Sequence, residues 1–409
     1  AAQLANLGNG SGRLLINADS TTAATTQTFA STTLGTGASD IVITSGGTHA
    51  ALLTLGAIAR GRGATLFIGQ PANTLSATNG IRTTSGTANT VLADANGTAY
   101  AVTGANGTTV NEWVGKNAGG WLAPIGAASY TPSVVATTTY AAGINLDVVN
   151  TNTGQWATQT INTLRFNNTN ALTATIAAGN TLTISTGGIL IGSSAGASTL
   201  TGGTIIPGAG RELVVFANGN TLTINSVLGQ SSGGATDVTF RGLVSVGLAK
   251  NDVLLNANST YSGDTYISGV RVRTDVNTVT APFGTGLNGN IYIYGNNGGQ
   301  FQSANNVTLA ARNWYIIGGG WEESSSGNHH GAIRLGNGAT LQGTLNLMGD
   351  SGIRTTGTLA TVSAKLFGDF NLKARSGAGD GTINFTADNT GWAGSFDIGS
   401  GGYRFDTLT

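Results

Sequence analysis

The sequence predicts an all-β chain folded as an elongated parallel β-solenoid (β-helix), with irregular loops and little or no helix. Three observations predict it. The string NTLTI stands at 180–184 and returns at 220–224, 40 residues later, and a chain that restarts one strand at an interval stacks similar units. Of 409 residues, 65 are Gly; with Thr, Asn and Ser they penalise helix interiors and permit the left-handed corners of tight turns. Finally, short runs rich in Thr, Val, Ile and aromatic residues alternate in polarity and are cut by turn residues about every ten positions.

Taken in order, RLLINA (13–18), DIVITSGG (40–47), ATLFIG (64–69) and TAYAVTG (98–104) read as strands of a less regular N-terminal part, 1–150. GTHAALLTLGAIARGRGA (47–64) reads as an apolar strand pair around a turn, and GKNAGGWLAPIGAASYTP (115–132) as a loop broken by Pro124 and Pro132. The regular part, 151–409, carries TLTIS (181–185), GILIG (188–192), STLTGGTI (198–205), ELVVF (212–216) and TLTIN (221–225). DTYISG (264–269), VRVRT (270–274), NIYIYG (290–295), NWYIIGG (313–319), AIRLG (332–336) and TLNLMG (344–349) continue it. KLFGDFNLKA (365–374), TINFTA (382–387) and SFDIG (395–399) close it. No Pro-rich or charged linker divides the two parts, so one continuous domain is expected, with a soft boundary at 130–160.

The interval between the NTLTI strings predicts two coils of about 20 residues each. Leu182, Ile184, Leu222 and Ile224 would then point inward along common rows, with Thr on the opposite face. The competing architecture is a β-sandwich in which the similarity is coincidental.

Composition excludes several classes. The 18 basic and 18 acidic residues cancel and charged residues make up only 9%, which is not the pattern of a disordered chain. No Lys/Arg run supplies the basic stripe that nucleic acid needs. No apolar stretch reaches the length of a membrane span, and AAQLANLGNG lacks signal-peptide shape, so a secreted protein would have had its signal removed or encoded outside this chain. The absence of Cys fits export.

NANSTYSGDTYISGVRVRTD (256–275) resembles the autotransporter-associated β-strand repeat. Thr260, Tyr261, Ser262 and Gly263 match its core, Ile267 the next inward position and Gly269 its turn, while Asp264 and Val270 stand where Gly is commoner. VGLAKNDVLLNA (246–257) holds the preceding element loosely, and ADNTGWAGSFDIGSGGYRF (387–405) resembles a second copy through Gly391, Trp392, Gly394 and Gly399. LTLGAIARGRGATLFI (53–68), ADANGTAYAVTGANGT (93–108) and NTLTISTGGILI (180–191) are similar to passenger regions of large secreted bacterial proteins. The resemblance implies a parallel β-helix displayed outside a Gram-negative-type bacterium, with an architectural repeat and no catalytic residues. It departs at FDTLT, where family members often continue into a membrane β-barrel.

Chemistry-bearing residues are sparse. GWEESSSGNHHGAIRLG (320–336) gathers Trp321, Glu322, Glu323, His329 and His330. Two His and two carboxylates can bind a transition metal, but a Ser/Gly loop between them sets no geometry and a protruding loop is the simpler reading. ADANGT (93–98) and GAGDGT (377–382) look like fragments of calcium loops but read as turns. Arg271 and Arg273 on one strand face, followed by Asp275, read as solubilising. The six Trp residues (113, 121, 156, 314, 321 and 392) serve either core packing or a sugar-stacking or partner platform. The expectation is therefore a protein with no catalytic, cofactor-binding or metal residues: an extracellular structural or adhesive surface protein. It would self-associate head to tail into a filament or sheath, with surface glycans as further partners. The alternative is a carbohydrate-active or glycan-binding β-helix, which a groove of acids and bases, or an exposed ladder of Trp or Tyr, would favour.

Overall fold

The computed structural model describes residues 2–4, 11–18, 24–45, 49–71, 75–104, 109–243, 252–285, 289–322, 329–374, 381–398 and 403–405. Strands dominate, and the helical elements among the described residues are two short 3-10 turns, Ala127–Ser129 and Gly295–Asn297. Pairing is parallel and non-local nearly throughout, which is the β-solenoid that the composition predicts.

The main stack runs from Tyr130 to Phe405. On one side, each strand lies over the next, with register shifts at Ile161/Thr163 and Ile316/Gly318: Asn145 pairs Thr163, then Gly188, Val214, Thr239, Tyr266, Tyr292, Tyr315, Asn346 and Phe367. The next position along each strand points inward. Leu164, Ile189, Val215, Phe240, Ile267, Ile293 and Ile316 form one apolar column with no exposure. Each such side chain contributes about 1.5–3 kcal/mol relative to exposure. A second side carries Leu172–Thr175, Ser198–Thr201, Leu222–Ile224 and Asp252–Leu255, and its outward column begins Thr173, Thr199, Thr223.

The two NTLTI strands are both buried at Leu and Ile, as their alternation predicts, but they do not share a row. Leu182 and Ile184 lie between Gln159/Ile161 and Ile205/Pro207. Leu222 and Ile224 lie between Ser198/Leu200 and Val253/Leu255, on a different side of the coil. The coil here takes 23 to 26 residues, as Thr181 over Thr204 and Gly188 over Val214 show. Leu182 is followed one coil later by Ile205, and Leu222 lies beyond the next side, Leu213–Ala217, so forty residues is a full coil plus about two sides.

The N-terminal part is a second parallel stack. Ser11, Ala38 and Thr65 follow one another at 27-residue steps, and two further sides run Ser31–Leu34 over Ala57–Arg60 and Thr25–Thr28 over Ala51–Thr54. Ala51–Thr54 and Ala57–Arg60 thus pair with other coils rather than with each other, with Gly56 at φ 62 turning the corner between them. The stretch expected as a loop, 115–132, is instead part of an antiparallel unit. Glu112–Lys116 pairs Ala101–Gly104 on one side and Leu122–Pro124 on the other. That unit reverses the chain.

After the reversal the main stack returns along the outside of the first. The outward side chains Phe67, Val102 and Trp113 of the N-terminal sheet pack on Leu190, Val214 and Phe216 of the main stack. Late coils of the first stack meet early coils of the second, as Glu112 meets Arg165. Earlier coils meet later ones, as Asp40 meets Arg241. The two stacks therefore lie side by side and progress in opposite directions.

Candidate functional site

Three concentrations of functional groups stand out. The first is the seam between the stacks. Arg60, 2% exposed, donates to Asp94 Oδ2 at 2.8 Å and to Glu212 Oε2 at 2.6 Å, and Glu212 is 3% exposed. The Gly63 amide donates to Glu212 Oε1 at 3.2 Å, and the Thr239 hydroxyl donates to the same oxygen. Burial works against the Arg60 charge, and the Glu212 and Asp94 carboxylates more than offset it, so the guanidinium stays ionised. Arg62 reaches Asp237, and Arg165 spans Glu112 at 2.7 Å and Asp147 at 2.6 Å. These ions hold two solenoids together. The ADANGT turn belongs here: Asp94 Oδ1 accepts from the amides of Asn96 and Thr98, both at 2.9 Å, while its other oxygen takes Arg60.

The second concentration is the outer face around residues 252–354. Arg273, Gln302, Arg334 and Arg354 form one column, beside Asp252, Arg271 and Gln300. Asp252 accepts from Arg271 at 2.7 Å and from Arg273 at 3.3 Å, and Asp275 takes Arg273 at 3.2 Å. Arg271 and Arg273 are thus neutralised locally rather than extended into solvent. The residues singled out near 320–330 flank this column. Gly320 bridges Gly331 and Glu322 bridges His329; Trp321 is buried with the Arg271 guanidinium 6.0 Å from its ring; and Arg354 donates to His330 Nδ1. His329 Nδ1 lies 3.1 Å from the Gly320 carbonyl. Glu323 lies outside the described residues, and among the described residues His, Asp and Glu gather in no group of three or more suited to a metal.

The third is aromatic, and it is assembled by inter-coil register that the strand sequences do not spell out. Tyr266, Tyr292 and Tyr315 stack on the outside of the main stack, with ring centroids 5.2 and 4.9 Å apart. Tyr294, Ile317 and Met348 lie beside them. Burial raises the phenol pKa of Tyr266, Tyr292 and Tyr294, so these three hydroxyls stay protonated at neutral pH. A signal was present: NIYIY and NWYIIG each place Tyr at outward positions of successive coils. Tyr292 has a ring on each face, so at the centre of the column edges rather than free faces are offered to a sugar.

The six Trp residues go elsewhere. Trp113, Trp156 and Trp314 are at most 1% exposed, and Trp121 lies under the Arg82 guanidinium at 4.3 Å. Trp392 packs on Phe396 at 4.5 Å.

In the segment 256–275, Tyr261 is buried with its hydroxyl 2.8 Å from Thr265 Oγ1, Ile267 lies in the inward column and Gly269 turns at φ 65. Residues 246–251 and 399–402, in the two flanking copies of that pattern, lie outside the described residues, as do 377–380 of GAGDGT. No family model matches the chain, and no curated protein or solved structure matches it. No helix among the described residues is long and apolar enough to cross a membrane.

Proposed function

We propose that this chain is an extracellular structural or adhesive protein of a bacterial surface, working through the outer faces of its solenoid. The observation that carries the reading is the register itself. Beyond the coils that the N-terminal stack covers, outward positions recur coil by coil at Tyr292, Tyr315, Asn346 and Phe367, and a face laid out in such a row suits several weak contacts rather than one shaped pocket. The resemblance of 256–275 to the autotransporter-associated repeat supports the location outside the cell. Labelling intact cells with an antibody to the chain, alongside electron microscopy of the native material, tests it. Signal that appears only after permeabilisation would sink the proposal.

A second reading rests on the column Arg273–Gln302–Arg334–Arg354. Successive members are about 4.8 Å apart, close to the rise of an extended saccharide chain, and Asp252 and His330 stand beside them. This is the carbohydrate-active or glycan-binding alternative. Incubation with pectin and alginate decides between them: the structural reading expects no product, and product lost on Arg334→Ala would favour the second.

A further inference from the structure

We infer that the aromatic face beyond the N-terminal stack is a docking surface for a second copy of this chain, the two copies packing the same face together about a two-fold axis. The inference rests on the scaffold reading above and adds a partner to it. Its basis is continuity with an interface already made. At Leu190, Val214 and Phe216 the outward side of the main stack is apolar, and the N-terminal sheet covers it. The same side continues through Tyr292, Tyr294, Tyr315, Ile317, Met348 and Phe367. There Tyr292 and Tyr315 are half-buried and Phe367 is 37% exposed. The Thr173–Thr199–Thr223 column shows a polar outward row on another side, and a contiguous strip of apolar outward residues such as this one suits a neighbour.

The occupant follows from charge and direction. Strands Asn290–Tyr294 and Arg312–Gly318 carry no outward charged residue, and an Asn313–Asn290 hydrogen bond of 3.2 Å borders the rings. Charge stands at the two ends of this face, with Asp264 accepting from the Tyr266 hydroxyl at 3.2 Å and the Lys365 ammonium over the Phe367 ring, so two copies set antiparallel bring the acidic end of one to the basic end of the other. Within one chain, the covered half already pairs two stacks progressing in opposite directions. A two-fold axis perpendicular to the stacks places two copies in that same relation, and an isologous contact of this kind closes at two. Tyr266 and Tyr315 take both faces of Tyr292, so a pyranose would meet ring edges at the centre of this column.

The Cys-free chain makes the test direct. A single cysteine at Asn346→Cys lies in the tyrosine column, and Val276→Cys, 38% exposed in the wild type, lies on another surface. Under mild oxidation the intact Asn346→Cys protein should form a disulfide dimer and Val276→Cys should not. Sedimentation of the wild type across a concentration series should show a monomer–dimer equilibrium, and Tyr315→Asp should weaken it by about tenfold or more, since buried aromatics dominate such contacts. A wild type that stays monomeric throughout, or equal cross-linking at both cysteines, overturns the inference. So does binding of soluble oligosaccharide at this face in place of dimerisation. A monomer found on the cell surface would end this inference alone; a dimer found inside the cell would end only the scaffold reading.

Discussion

Glu212 is the side chain on which the two stacks converge. It accepts from Arg60 and the Gly63 amide of the N-terminal stack and from Thr239 of its own stack, so two of these three contacts depend on the N-terminal stack lying where it does. Removing Glu212 leaves the buried Arg60 guanidinium with Asp94 as its remaining carboxylate, so much of its compensation is lost. Glu212→Ala should therefore destabilise the chain by about 3–5 kcal/mol, whereas the paired change Arg60→Met with Glu212→Leu should recover much of the loss. Denaturant unfolding of the three variants checks this, and a single-variant cost below about 1 kcal/mol would place the ion pair outside the folded core. Leu222 makes the complementary case. It has no exposed surface and sits in the row between Ser198 and Val253, so Leu222→Ala should cost about 2–5 kcal/mol by the same measurement.

For single elements, what matters is which face meets which neighbour. Gly188 stands opposite Trp113, and a Cβ there would come 2.7 Å from the indole ring. Gly188→Ala should therefore push the antiparallel unit off the main stack, at about 1–3 kcal/mol. The amides of Ala99 and Ser193, which donate across the seam to Thr186 and Val110, should exchange faster in that variant. Those of Leu222–Ile224 should not, and equal acceleration at both places would mean the seam and the core open together. This example also marks what a sequence makes legible. The inward Leu and Ile of TLTI, and Ile291 and Ile293 of NIYIY, announce themselves because alternation is local. Rows are not local: nothing within 180–184 and 220–224 says that a coil takes 23 to 26 residues here, so identical strings landed on different sides. The tyrosine column was hidden for the same reason, since Tyr266, Tyr292 and Tyr315 meet only through inter-coil register. The seam was less legible still. Arg60 and Glu212 lie 152 positions apart, and in sequence each looks like an ordinary solubilising charge.

For the whole molecule, the reversal at 112–124 decides the shape. The main stack has strands at Tyr130, Asn145, Thr163, Gly188 and so on to Phe367, which at about 4.8 Å per coil makes a body about 50 Å tall. The N-terminal stack adds the coils that begin at Ser11, Ala38, Thr65 and Ala101. Set end to end on the main stack, those coils would lengthen the body to about 70 Å. Laid alongside, they thicken it over the coils from Arg165 to Tyr266 and leave the coils beyond Asn290 slim. Gly63 shows how close that fit is, because a Cβ on it would lie 2.5 Å from the Tyr266 ring. Small-angle scattering from the monomeric fraction should give a longest dimension nearer the shorter value, with a body broad at one end and narrow at the other. A uniform rod near the longer value would mean that the stacks are in line, and the ion pairs of Arg60, Arg62 and Arg241 could not then form. A body of the shorter length that unfolds to a rod when Glu212 is replaced would instead tie the shape to that one carboxylate.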